Sequence, residues 1–122
     1  MLSHVSLGVT DIRRSQRFYD AVLEALGFQR TWTGDTGLGY GPDGEERLNL
    51  FQKDNDSVET GAGFHLAFVA PSQDSVDRFH AAAIRSGGTC NGPPGLRKHY
   101  GENDYAAFVI DPDGHRLEAV SQ

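Results

Sequence analysis

Ser3-His4-Val5-Ser6-Leu7 near the start of the chain and Phe64-His65-Leu66-Ala67-Phe68 at its middle share one pattern, a histidine followed by residues that alternate between large apolar and small. The histidines lie 61 positions apart (65 − 4), and at the same offset Phe18 falls on Phe79, Ala21 on Ala82, Leu23 on Ile84 and Gly27 on Gly88. Self-similarity at a fixed offset marks a duplicated unit. A second recurrence closes each copy. Pro42-Asp43-Gly44 leads into Arg47-Leu48-Asn49-Leu50-Phe51, and Pro112-Asp113-Gly114 into Arg116-Leu117-Glu118-Ala119-Val120. That offset is 69 (117 − 48), so the second copy holds eight extra residues (69 − 61), which the Gly/Pro-rich stretch Asn91 to Asn103 would carry as a loop.

Within each copy the periodicity changes in the same order. Val5, Leu7 and Val9 alternate with His4, Ser6 and Gly8, the period of a half-buried strand. A helix follows: Asp11 is a suitable N-cap, Phe18, Val22, Ala25 and Leu26 form an apolar stripe, and Gly27 supplies a left-handed stop. In the second copy Ser72 is the cap, Val76, Phe79 and Ala83 the stripe, and Gly87-Gly88 the stop. Strands then follow around 31–33, 38–40 and 48–51, and around 89, 105–110 and 116–120, with the Pro-Asp-Gly turns as hairpin connections. The expected fold is α+β: two βαβββ modules, about 1–60 and 61–122 of a single domain, forming a curved mixed sheet around a cup-shaped metal or ligand site. The polar stretch Lys53 to Glu59 reads as a flexible linker between them.

Composition narrows the function. A chain of 122 residues, 38% of them hydrophobic, can fill one core without disulfides, and its one cysteine, Cys90, cannot form an internal bridge. Cys90 is expected to be a small buried hydrophobe. No signal-peptide pattern opens the sequence and no apolar run approaches the roughly 18 residues of a membrane span, so a cytoplasmic protein is expected. A net charge of −6 disfavours a nucleic-acid partner, and a small molecule is the expected one.

Strand alternation assigns the cup. If Val5, Leu7, Leu66 and Phe68 pack on helices, His4 and His65 point the other way, and with Leu117 and Ala119 inward, Glu118 joins them. Asn49 stands at the position equivalent to Glu118. Two imidazoles and a carboxylate form a set that binds a divalent transition metal with open positions, and Zn, Ni, Fe, Mn and Co all suit it. Neutral Asn49 suits only a weak contact or substrate hydrogen bond.

At these residues the sequence resembles the vicinal oxygen chelate superfamily, which includes glyoxalase I, extradiol dioxygenases, fosfomycin-resistance enzymes and bleomycin-binding proteins. The resemblance is carried by Ser3 to Asp11, by Phe18-Tyr19, by Leu26-Gly27-Phe28, and above all by Phe108-Val109-Ile110-Asp111-Pro112-Asp113-Gly114-His115-Arg116-Leu117-Glu118. It implies paired βαβββ modules around a metal held by His4, His65 and Glu118, and a homodimer in which ligands are sometimes shared between chains. Asn49 departs from the glutamate expected in glyoxalase I. The Asn91 to Asn103 loop is read as a lid, with His99 as a proton shuttle, Tyr100 or Tyr105 as an oxyanion donor and Arg97 as an anchor for a substrate carboxylate, while Trp32 and Tyr40 are candidate cup walls. The expected function is a metal-dependent enzyme of the glyoxalase/dioxygenase type acting on an oxygen-chelating small molecule, with Glu118 also catalytic. The alternative is a non-catalytic drug- or metabolite-binding protein.

Overall fold

The structure is a computed structural model describing residues 1–122. The chain runs β1 (Val5–Val9), α1 (Ile12–Glu24), β2 (Gln29–Thr33), β3 (Gly37–Gly41), β4 (Leu48–Gln52), then β5 (Leu66–Val69), α2 (Gln73–Arg85), β6 (Thr89–Leu96), β7 (Tyr105–Ile110) and β8 (Arg116–Ser121). Each half is a βαβββ module whose mixed sheet is ordered β1-β4-β3-β2 or β5-β8-β7-β6, with the first and last strands parallel. The repeat offset of 61 carries α1 onto α2 residue for residue (73 − 12, 85 − 24). Both caps form as the sequence requires. Asp11 accepts from the Arg14 amide at 3.1 Å, and Ser72 forms a reciprocal capping box with Ser75.

No strand of one sheet pairs with a strand of the other, so within the chain there are two four-stranded sheets. The halves meet through their helices, and one apolar cluster of 23 buried residues contains Phe18, Tyr19, Val22 and Leu50 from the first half and Phe68, Val76, Phe79 and Leu117 from the second. Phe28 meets Phe68 edge to face at 5.9 Å. The helix stops differ slightly between the copies. Gly27 takes φ +87, but in the second copy the left-handed residue is Gly87 at φ +99. Gly88 instead gives Phe18 room: a Cβ there would lie 2.7 Å from that ring.

A second junction is polar. The Asp111 carboxylate, almost fully buried, accepts from the Asp113, Gly114 and His115 amides at 2.8–2.9 Å and from the Tyr19 hydroxyl at 2.6 Å. The turn so formed is clasped by the first half: Asp113 accepts from the amide and hydroxyl of Thr10 and from Arg14, and His115 Nε2 donates to the Gly8 carbonyl at 2.7 Å. The matching turn at Pro42–Gly44 is a 3₁₀ turn whose side chains make no such bonds across the halves. Burial, followed by the Asp111 charge, raises the Tyr19 pKa well above its ordinary value.

Three expectations need correction. The first part of the stretch expected as a loop, Asn91 to Leu96, belongs to β6, which pairs with β7 through two irregularities, between Cys90 and Gly92 and between Gly92 and Gly95. These bulges break the two-residue period by which a strand is recognised, and Pro93-Pro94 is tolerated because β6 is an edge. Only the turn after Leu96 remains a loop. Cys90 is exposed, not buried, because it stands on that edge beside a bulge, and its sulfur accepts from the Gly92 amide at 3.4 Å. The linker is partly structured, since the Lys53 amide bonds to Val9 O and Asn55–Ser57 form a 3₁₀ turn.

In the first sheet a bulge between Arg30 and Trp32 sets Trp32 opposite Gly39. The indole lies over β3, where a Cβ on Gly39 would stand 2.1 Å from Trp32 Nε1 and one on Gly37 2.6 Å from the far end of the ring. These glycines make room for the tryptophan.

Replacing Asp111 with Ala leaves three amides and a tyrosine hydroxyl without their acceptor, and the expected loss is about 3 kcal/mol or more in urea unfolding. A loss under about 1 kcal/mol would show that the turn does not hold the halves together. Tyr19 and Tyr40 both have raised folded pKa values, so the stability they lend is intact below about pH 10, the unfolded tyrosine value, and is lost as pH rises beyond it. Tyr19→Phe is expected to flatten that alkaline loss in unfolding curves taken at rising pH. Gly39→Ala should swing the indole off the sheet, and because Trp32 is the only tryptophan, its emission maximum reports the change directly. A red shift is expected, and unchanged emission would contradict the packing.

Candidate functional site

The face of the second sheet turned away from α2 carries the strongest polar constellation. Glu118 stands in register with Ala67 on one side and Phe108 on the other, between inward-facing Leu117 and Ala119, which are fully buried. His65, two residues before Ala67, shares that face, and its Nε2 lies 3.0 Å from Glu118 Oε1. The carboxylate is largely enclosed (side chain 11% exposed), whereas the imidazole is open to solvent (55%). Phe108 lies beside them, its ring 6.4 Å from the imidazole. Over that ring, at 5.5 Å, lies the guanidinium of Arg97.

The first sheet presents a different surface at the equivalent positions. Asn49 is in register with Ser6 and Gly39, as Glu118 is with Ala67 and Phe108. Its Oδ1 accepts from Trp32 Nε1 at 3.3 Å, which turns the amide to holding an indole. Trp32 and Phe51 pack at 6.0 Å and are both partly exposed, giving an aromatic plate. Tyr40 is not part of it. Its ring is buried beside Tyr19 and its hydroxyl donates to Asp20.

The sequence-derived site residues are therefore not all brought together. His65 and Glu118 meet, and Arg97 joins them across Phe108. His4 is exposed, its Nδ1 paired with Ser3 Oγ at 3.0 Å, and lines an apolar groove of about 330 Å³ with Val5, Phe28, Leu66, Phe68 and Val69. No group of three or more His, Cys, Asp or Glu within the chain could hold a metal ion. The His99 and Tyr100 rings pack against each other at a tilt, with centroids 4.1 Å apart, on the exposed turn after β6. Tyr105 is turned toward α2, where its hydroxyl donates to Asp77 at 2.6 Å, and that bond is the main cause of its raised pKa.

The donor set can be tested against a divalent ion. Imidazole nitrogen and carboxylate oxygen are suitable donors, and two such atoms each about 2.1 Å from an ion and at right angles to each other would be about 3 Å apart. His65 and Glu118 meet that condition, at 3.0 Å. One chain thus offers two of the three expected ligands on a common face, and the third, His4, lies apart from them.

Phe108 is the site residue that strand reading did not assign a role, although a signal existed. Counting outward from the Asp113 turn, Phe108 and Glu118 lie five residues to either side, which places them opposite each other in the hairpin.

Comparisons with known proteins agree with this architecture. A lactoylglutathione lyase of Escherichia coli O157:H7 is 29% identical over 131 residues, covering 99% of this chain and 92% of its own. A crystal structure of a glyoxalase/bleomycin resistance protein from Albidiferax ferrireducens T118 superposes with a TM-score of 0.88 at 36% identity, covering 100% of this chain and 99% of that one. The fosfomycin resistance protein FosX of Listeria monocytogenes shares the fold, with a TM-score of 0.74 at 19% identity over 100% of this chain and 93% of its own. The sequence model of the Glyoxalase/Bleomycin resistance protein/Dioxygenase superfamily matches residues 1–119. The duplicated βαβββ architecture and this match together establish that the chain belongs to that superfamily.

Proposed function

We propose that this protein is a metal-dependent enzyme of the glyoxalase/dioxygenase type, acting on a small molecule that chelates through adjacent oxygens, and that its site is completed between two copies of the chain. The observation that carries the reading is the His65–Glu118 pair, 3.0 Å apart on an open sheet face. His4 occupies the repeat-related position in the first half and is free of both. A second copy presenting its His4 to that pair would assemble two imidazoles and one carboxylate, and a twofold dimer would hold two such sites. The edge positions of β1 and β5 in their sheets, with Val69 76% exposed on β5, support such a pairing.

When bound, a divalent ion of this kind polarises a substrate oxygen and stabilises negative charge that develops on it. The chain's own residues do the rest. Glu118, enclosed by the sheet, and His65 hold the ion, while the packing of Leu117 and Ala119 fixes the strand that aims the carboxylate. Asn49 is committed to Trp32 and acts as a positioning residue for the aromatic wall. The lactoylglutathione lyase relative supports lyase chemistry as one member of this reaction class.

A second reading, a binding protein without turnover, is favoured by one feature. The Trp32–Phe51 plate offers partly exposed aromatic surface without a ligand for metal. Under that reading the metal-free protein would bind its small molecule tightly and leave it unchanged.

Elemental analysis of protein purified without chelator is expected to find metal, lost in His4→Ala, His65→Ala and Glu118→Ala. Mixing His4→Ala with Glu118→Ala protein and allowing subunits to exchange should restore about a quarter of the wild-type content, because half of the dimers regain one of two sites. Full metal content in all three single variants would overturn the proposal. Recovery of none on mixing, with exchange confirmed by mass, would overturn the shared site.

A further inference from the structure

The geometry assigns Arg97 as the element that selects an anion, so that the substrate class of this site is a small carboxylate. The inference rests on reading the open face of the second sheet as the substrate site. Arg14, Arg30, Arg47 and Arg78 each spend their charge on a carboxylate of the chain. Arg97, like Arg13, Arg17, Arg85 and Arg116, has no carboxylate within 4 Å, but it alone of these lies over an aromatic ring beside the His65–Glu118 pair. It is nevertheless held in place. Its backbone amide donates to Asp104 O at 2.7 Å, its Nη2 donates to Pro93 O at 2.6 Å, and its guanidinium lies over Phe108.

The bulged strand β6 makes this posture possible. A Cβ on Gly95 would come within 3.1 Å of Arg97 Nη1, and one on Gly92 within 3.4 Å of Nη2, so the bare backbone of β6 leaves space for the planar group. The extra residues of the second copy thus build a rest for a cation. One of the five guanidinium donors is engaged within the chain, and the remaining fork matches two carboxylate oxygens. The cation–π contact and the bond to Pro93 O restrict the side chain before any ligand arrives, which reduces the entropy lost on binding.

Phe108 ties this cation to the reactive pair. The same ring lies 5.5 Å from the guanidinium carbon and 6.4 Å from the His65 imidazole, so an anion seated on Arg97 stands on the face where His65 and Glu118 meet. A neutral ligand would leave the guanidinium without a counter-charge there. A carboxylate supplies one.

Oxalate and the neutral diamide oxamide are nearly equal in size and both present two adjacent oxygens, so their comparison reads the preference for carboxylate over amide. Calorimetric titration of protein stripped of metal with a chelator, which is then removed, is expected to show oxalate binding at least about tenfold more tightly than oxamide. Arg97→Gln should abolish the preference, and Arg97→Lys, which keeps the charge without the fork, should retain part of it. Melting temperature and metal content should be unchanged in both. Equal affinity for the two probes in the wild type, or an undiminished preference in Arg97→Gln, would overturn the assignment. A chain that binds no metal yet distinguishes the probes through Arg97 would refute the metal proposal and sustain this one. A chain that binds metal but treats the probes alike would do the reverse.

Discussion

The Asp111 carboxylate is the constraint on which the relative placement of the two halves depends. A buried carboxylate is tolerable only when its oxygens are hydrogen-bonded, and this one is met by three amides of its own turn and a hydroxyl from the other half. Folding the turn around it projects Asp113 and His115 onto Thr10, Arg14 and Gly8. Because the Gly8 carbonyl can only accept, the proton of His115 must sit on Nε2. Apolar packing between α1 and α2 brings the halves together without strong direction, and these directional bonds define how they sit.

The same turn explains why a duplicated sequence yields unequal halves. In the first copy Pro42-Asp43-Gly44 lacks the preceding aspartate, its place being taken by Gly41, and it makes no hydrogen bond to the second half. One edge strand, β1, is therefore clasped at Gly8, while β5 is left with Val69 exposed. The open faces diverge as well. Where the second sheet carries Glu118 with His65 and Phe108, the first carries Asn49 beneath an indole resting on glycines. One face presents ionisable side chains, and the other planar apolar surface.

Much of this was legible because short-range patterns encode it. The 61-residue offset carried one helix onto the other in both length and cap, and alternation correctly sent Leu7, Val9, Phe68, Leu117 and Ala119 to the helix side. The failures have equally specific causes. Two bulges removed the period from β6, so a strand read as a loop and an edge cysteine as a buried one. Tyr105 was drawn toward the site by its nearness in sequence to the expected lid, but in the register of β7 it shares a face with buried Ala107 and Val109 and so meets α2.

By itself the sequence determined the repeat, the order of the elements, and which side chains alternate toward the core, because these follow from periods of 2 and 3.6 residues read locally. Tertiary structure alone decided that His65 meets Glu118 while His4 stands apart, that Asn49 is spent on Trp32, and that Arg97 lies over Phe108. The physical reason is that periodicity assigns a residue to a face, whereas meeting another residue depends on strand register, bulges and the docking of halves. Those are settled by bonds between residues as distant in sequence as Tyr19 and Asp111.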